Sequence, residues 1–547
     1  MGFFDEEKEV KRSTGEKEKG LSTSSNLGRE ITSVKNATKE LHFRSDRVDP
    51  VPFIDDAVLK DKTFYGQIHG GINDSKPFFL NDEDTTMEIY VGSTGTGKGV
   101  YLGNKTLEAI RRGKGVIIID PKKDDFLPQI VKEEMDRQGR PDDFQVCSWA
   151  NNFGYMGINE FDTYKEVANK FIDALDLTPT DNQGVDYYRK NGRVMLNKVL
   201  KLFFNGTLGV VVKKDFIDIL LHLRMLKEDL EKQVLLEKEM GKIRRSENLI
   251  EKYEERYYKF EKVEKIYWDT TTIETLDSLV KSVSEIAEGA DIFNEYTLEG
   301  ALYEGKVLYL RVDMLDVASL KMVKMMITDA IQQARRKTAN TVIIADELSF
   351  YANDTIAGAL ATVRSMGLKF LLALQDLSQM KDENIRNAIL SNCNVKMFYK
   401  ISDKNTLEYV EKIGGKEAVT AFSLSGDGDT KISQQTEDVM NATRIRAMPR
   451  QFTGIIIAEA LPKTVLVRTN YVKISKKFDW KPHETRKKSD NHFKNIKMME
   501  EESDDTKLAN YRMIMSESAL ENSDLFGIAY ASDKIYDTDL ILGKRKR

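Results

Sequence analysis

Hydrophobic and polar positions divide this chain into three regimes. The first is a series of short, continuous apolar runs, several of them ended by glycine or acid. Met87–Val91, Gly115–Asp120, Phe144–Trp149, Lys306–Val312, Thr341–Ala345, Lys369–Leu374 and Asn394–Tyr399 read as strands. Runs apolar at successive positions, without alternation, mark strands buried on both faces, as in a parallel sheet. Helical spacing fills the intervals at Tyr101–Arg112, Leu127–Gln138, Ala318–Lys337 and Ile356–Met366. Repeated strand–helix alternation predicts an α/β fold: a mostly parallel, right-handed sheet with helices on both faces. Ile455–Ala458 and Thr464–Val467 read as closing strands, and the lead-in Val51–Asp84 carries turn signals at Gly70-Gly71 and Asn73-Asp74, so the sheet is expected to start near Met87.

The second regime, residues 163–297, replaces these runs with apolar positions at helical spacing, and Leu221–Lys265 is dense in lysine and glutamate. It reads as an inserted all-α domain with long solvated helices, a few β-rich runs such as Gly209–Val212 apart. The third regime is polar. Residues 1–50 hold few large apolar side chains and read as a disordered arm, and 476–547 as a flexible tail with some helix around Lys507–Leu520. The two parts of the α/β domain are thus expected at 51–162 and 298–475.

At 547 residues the chain can form two or more domains around a large core. A net charge of −5 gives no global field for nucleic acid, so polyanion binding needs a local surface. The two cysteines, Cys147 and Cys393, fit no zinc spacing, and the five histidines form no ligand cluster. No stretch approaches the about 20 apolar residues of a membrane span, and Met1–Lys8 lacks the apolar core of a signal peptide. The expected location is cytoplasmic, or docked to a membrane through another protein.

Chemistry concentrates at the ends of the strands. Gly92-Ser93-Thr94-Gly95-Thr96-Gly97-Lys98-Gly99 lies between the run Met87–Val91 and a helix. Strand, glycine-rich loop, helix is the context of a phosphate loop: backbone N–H groups and the helix N-terminus face phosphate oxygens, and Lys98 reaches the β- and γ-phosphates. Gly99 stands where a Mg²⁺-ligating hydroxyl is usual. Either water replaces that ligand or the metal leans on a carboxylate elsewhere. Asp346 and Glu347 end the run Thr341–Ala345, where a parallel sheet places its ligands. Asp346 suits the Mg²⁺ shell and Glu347 suits activation of the attacking water. Gln375 ends Lys369–Leu374 and can bond the γ-phosphate or the water, although it also reads as a plain polar strand end. Arg364 precedes that strand and can act as an arginine finger on a neighbouring subunit or be an ordinary surface arginine. Lys122 and Lys123, after Asp120, border the nucleotide, face a pore, or form a solvated loop.

These stretches, in order, resemble the type IV coupling proteins of conjugation, the TraG/TraD class. The resemblance spans roughly 65–470. It rests on His69-Gly70-Gly71, the phosphate loop, Ile118-Ile119-Asp120-Pro121-Lys122, Ile158-Asn159, Asp186-Tyr187-Tyr188, Ile344-Ala345-Asp346-Glu347, Gln375-Asp376-Leu377-Ser378-Gln379 and Met448-Pro449-Arg450. It implies a RecA-like P-loop ATPase with an inserted all-α domain, hexameric when active. It implies ATP and Mg²⁺ as cofactors. As partners it implies single- or double-stranded DNA, a relaxase or relaxosome, type IV secretion ATPases and, since no transmembrane helices are visible, a small membrane partner. The implied activity is coupling a relaxase–DNA complex to a secretion channel. Two other readings stay open: a secretion-channel or chromosome-pump ring ATPase, and a nucleotide-regulated adaptor that recruits substrates.

Overall fold

The computed structural model describes residues 49–204, 270–289 and 298–478, apart from 71–72, 123–124, 149–157, 160, 180–182 and 425–429, together with Ile219, Leu223 and Lys227. The polar ends at 1–48 and 479–547, the run Gly209–Val212 and nearly all of Leu221–Lys265 lie outside the described residues.

Thirteen strands are described: β1 (Lys62–Ile68), β2 (Pro77–Asn81), β3 (Met87–Val91), β4 (Gly115–Asp120), β5 (Phe144–Ser148), β6 (Val307–Arg311), β7 (Thr341–Ala345), β8 (Leu368–Leu374), β9 (Val395–Phe398), β10 (Lys416–Leu424), β11 (Thr430–Asp438), β12 (Thr453–Ala458) and β13 (Val465–Arg468). Eleven join one sheet in the order β2-β1-β13-β12-β9-β3-β8-β7-β4-β6-β5. From β9 to β5 every neighbouring pair is parallel. From β9 outward through β12, β13, β1 and β2 every pair is antiparallel.

The central strands are apolar on both faces because both faces are covered. Ile89, Val91, Ile117 and Ile119 point into one core, and Tyr90, Val116 and Ile118 into another. Helices Lys98–Arg111 and Phe126–Arg137 cover the second face through Leu102, Ile110 and Val131. Helix Val317–Arg336 covers the first, and helices Tyr164–Ala174, Gln183–Phe204 and Thr270–Gly289, between β5 and β6, continue the same apolar cluster through Phe171, Leu196 and Leu276.

A buried ionic rivet fixes helix Tyr164–Ala174. Thr163 starts that helix with a capping box, its Oγ accepting from the Glu166 N–H while its own N–H donates to Glu166. One turn on, Lys170 Nζ lies 2.5 Å from Asp162 and 2.7 Å from Asp329 on helix Val317–Arg336, all three side chains being fully buried. Arg336 meets Asp162 at 2.6 Å, and the Asn159 amide donates to Asp329 at 2.7 Å.

The structure corrects the sequence reading in three places. The sheet does not start near Met87: the lead-in forms helix Val51–Leu59 and strands β1 and β2. The expected helix Ile356–Met366 splits into a short helix, Asp354–Ala359, and a 3₁₀ turn, Val363–Met366. Of the expected run Phe144–Trp149, Phe144–Ser148 forms β5, and Trp149 lies outside the described residues. The two-stranded ribbon β10–β11 was not expected at all.

Replacing Lys170 by methionine removes the cation between two buried carboxylates. We expect the variant to lose about 3–5 kcal/mol of unfolding free energy in a denaturant titration. A loss below about 1 kcal/mol would show that the rivet contributes nothing net.

Candidate functional site

Register brings the candidate residues together. Val91 pairs with Leu374, so Gly92 and Gln375 leave the sheet side by side, and the Gly92 N–H donates to the Leu374 carbonyl at 3.1 Å. Ile119 pairs with Ala345, so Asp120 and Asp346 do the same one strand further on. All sit at the carboxyl edge of the parallel strands.

The glycine loop is held open by its own backbone. Gly97 caps helix Lys98–Arg111 at φ 96°, a left-handed conformation that suits glycine alone, and leaves the cap without a side-chain oxygen. Gly92 is required by space: a Cβ there would lie 2.7 Å from Tyr399 Cβ and 2.9 Å from Thr96 Oγ. Thr96 braces the turn, its hydroxyl donating to the Ser93 carbonyl at 2.8 Å. Ser93 and Gly97 are half-buried, and Thr94 and Gly95 are exposed at the loop tip. At Gly99 an added Cβ meets nothing within 4 Å, so there is room for water beside the first turn.

Four charged side chains face one another beyond the loop. Lys98 Nζ lies 3.6 Å from Asp346 and 3.8 Å from Glu347, at ion-pair rather than hydrogen-bond distance. Lys122 Nζ lies closer, 2.6 Å from Asp346 and 3.2 Å from Glu347. Gln375 donates to Glu347 Oε1 at 3.1 Å. Glu347 sits at φ 52°, a conformation uncommon outside glycine, and its backbone N–H donates to Asp346 Oδ1 at 3.0 Å. Burial alone would raise the Asp346 carboxyl; Lys98 and Lys122 outweigh it and hold it below the usual range. Burial depresses the Lys98 ammonium, which its two carboxylates only partly offset.

Within this four-charge cluster, the buried atoms Lys98 Nζ and Glu347 Oε2 have no hydrogen-bond partner. Such atoms are costly unless something absent from the chain meets them. An ammonium at a helix N-terminus beside backbone N–H groups suits phosphate, and a free carboxylate oxygen suits a water proton. These residues fit a nucleoside triphosphate with its Mg²⁺.

Most of the residues singled out in the sequence therefore converge. Arg364 does not: it is exposed on the 3₁₀ turn before β8, at the opposite edge of the sheet from Gly92. Three further residues join the site. Asp120 accepts from the Lys122 N–H at 2.8 Å and from the Tyr309 hydroxyl at 2.6 Å. The Arg450 guanidinium donates to the Thr94 carbonyl at 3.4 Å, and the Phe452 N–H donates to the Thr96 carbonyl at 3.1 Å. The Met448-Pro449-Arg450 stretch signalled Arg450; nothing local signalled Phe452.

Residues 340–450 match the family described as the TraM recognition site of TraD and TraG. Two structures of a plasmid coupling protein overlie most of the chain. The unbound monoclinic form of the bacterial conjugative coupling protein TrwBdeltaN70 is 16% identical, with a TM-score of 0.52 over 80% of this chain and 95% of that one. TrwB in complex with the non-hydrolysable ATP analogue ADPNP is 14% identical, with a TM-score of 0.50 over 78% and 94%. Identities this low show the fold alone, and that fold is the RecA-like P-loop architecture expected from the sequence. No curated protein matches the chain. The resemblance to type IV coupling proteins is thus carried by motifs, by a family match and by the fold. Among the described residues no helix is long and apolar enough to cross a membrane.

Burial, opposed by its two hydrogen bonds, pushes the Asp120 carboxyl up to about 7. The unfolded chain releases this proton near pH 4, so folding takes one up between the two values. Asp120's contribution to stability is complete below about pH 4 and is lost as pH rises towards 7. Relative to Asp120→Asn, the wild type should lose at most about 4 kcal/mol across that window and nothing further above it. Unfolding titrations at several pH values check this, and parallel curves for the two proteins would sink it.

Proposed function

We propose that this chain is an ATPase of conjugative DNA transfer, coupling a relaxase–DNA complex to a type IV secretion channel. One observation carries the enzymatic part: Lys98, Asp346, Glu347 and Gln375 converge beside the glycine loop, with Lys98 Nζ and Glu347 Oε2 buried and unpartnered. The coupling role is supported by the match at 340–450 and by the likeness to TrwB.

Each residue has a distinct task in this reading. Residues Gly92 to Gly99 cradle the phosphates and Lys98 neutralises them. Asp346 would hold the Mg²⁺ shell, with water in place of the hydroxyl that Gly99 lacks. Bound Mg²⁺ neutralises phosphate charge in the transition state. Glu347 Oε1 is engaged by Gln375, which leaves Oε2 as the oxygen that takes the proton of the attacking water. Gln375 orients that carboxylate. Arg364, remote from its own loop, acts only across a subunit boundary, which implies a ring of identical subunits, six when active.

We assign the motor to 51–162 and 298–475 and the inserted all-α domain to 163–297. DNA passes over a local basic surface, since the net charge of −5 attracts no polyanion globally. Relaxosome protein, secretion ATPases and a small membrane protein are the remaining partners, the last recruiting the chain to the cytoplasmic face of the membrane.

ATP hydrolysis by the purified chain, with and without single-stranded DNA, tests the reading. Turnover should rise with DNA and vanish in Lys98→Ala. Glu347→Gln should keep nucleotide binding while kcat falls by about 10²–10⁴. Nucleotide binding without DNA-responsive turnover, with DNA transfer intact in Glu347→Gln, would replace the motor by an adaptor.

A further inference from the structure

The four-charge cluster is not symmetrical. Lys122, not the loop lysine, is the nearer partner of both carboxylates, at 2.6 and 3.2 Å against 3.6 and 3.8 Å. The side chains of Lys98, Asp346 and Glu347 are 5–7% exposed, whereas that of Lys122 is 40% exposed. Three members of the cluster are therefore locked in the interior, and one reaches in from solvent along a flexible four-carbon stem.

We propose that Lys122 is a counter-ion latch: without nucleotide its ammonium neutralises Asp346 and Glu347, and it must leave them before they serve a metal ion and a water molecule. The inference rests on the nucleotide reading of the site and adds its regulation. Two carboxylates this deeply buried do not stay ionised side by side without cations. Lys98 supplies one, at a distance that leaves its Nζ free for phosphate; Lys122 supplies the other. Once phosphates draw Lys98 away and a divalent cation supplies charge at Asp346, the cluster no longer needs Lys122.

The local geometry lets the side chain move while the backbone stays. The Lys122 N–H is tied to Asp120 Oδ1 at 2.8 Å, and Pro121 precedes it. The opening is a rotation about side-chain bonds at a fixed strand end. The Lys122 side chain is already 40% exposed, so the released ammonium can turn towards water. The latch keeps the carboxylates of a nucleotide-free subunit from capturing a divalent cation that has no phosphate to serve.

The test compares the full chain with Lys122→Met, Lys122→Gln and Lys122→Arg, all free of nucleotide. Thermal unfolding and Mn²⁺ binding are measured with the metal alone. In chelator, Lys122→Met and Lys122→Gln should melt below the wild type. Millimolar Mg²⁺ should raise their Tm while barely moving the wild type, and Mn²⁺ should bind them at least about tenfold more tightly. Lys122→Arg, which keeps the charge, should behave as the wild type. Equal metal responses in wild type and both neutral variants overturn the latch. Binding of a fluorescent ATP analogue by the wild type tests the underlying reading separately. No binding overturns the nucleotide site, whereas normal binding with equal metal responses overturns the latch alone.

Discussion

Everything at the site depends on one constraint: a parallel sheet covered on both faces has only its edges left for chemistry. The strands β3, β8, β7 and β4 are consecutive in the sheet although scattered along the chain. Their shared direction sends every carboxyl end to one edge, and their register leaves Gly92, Gln375, Asp346 and Asp120 as neighbours there. The helix after β3 then points its N-terminus at the same place. A phosphate cradle, two acids and an amide are thus assembled by backbone hydrogen bonding before any side chain contributes.

The same constraint explains what the sequence disclosed. The central strands are buried on both faces, so they read as continuous apolar runs, and polar residues at their ends stood out as chemistry. The antiparallel flank carries no such signal. In β1, Thr63 and Gln67 are buried polar residues and Gly66 interrupts the run at a bulge. The ribbon β10–β11 mixes Lys416, Glu417, Gln434, Gln435 and Glu437 with its apolar residues and lacks the continuous apolar run of the central strands. Within the site, the loop, Asp346, Glu347 and Gln375 were legible because each closes a run. Lys122 was legible only as a choice among three roles, because its partner Asp346 lies 224 positions away. Arg450 and Phe452 reach the site through an antiparallel strand. β12 runs against β9, so the residues before its start, not after its end, meet the loop. A rule that looks past the carboxyl ends of strands misses them.

The charge balance of the edge ties these parts together. Lys98 and Lys122 match Asp346 and Glu347, and the third acid, Asp120, stays out of the sum because burial, together with Asp346, opposes its ionisation. Were Asp120 ionised beside Asp346, the cluster would carry a net negative charge away from water, where Coulomb repulsion is weakly screened. The Tyr309 hydroxyl and the Lys122 N–H give its oxygens polar partners without adding charge. Neutrality therefore lets a buried polar cluster survive in a nucleotide-free fold.

Neutrality does not, however, satisfy the cluster. Hydrogen bonds to Lys98 Nζ and Glu347 Oε2 are missing, and each such atom costs about 1–3 kcal/mol. The rest of the edge shows that this fold can satisfy buried groups where it needs to: the Asp346 carbonyl takes the Tyr351 hydroxyl at 2.6 Å, and Asp120 has both its bonds. The two unmet atoms of the charge cluster are a standing free-energy difference between the empty and the filled state. A ligand that meets both at once gains that difference in addition to its own contacts, and by mass action it stabilises the closed arrangement of the whole edge. The strain at Glu347, with its left-handed backbone, belongs to the same account: the conformation that aims Oε2 away from Gln375 is one the chain holds only because β7, Tyr351 and the two lysines fix everything around it.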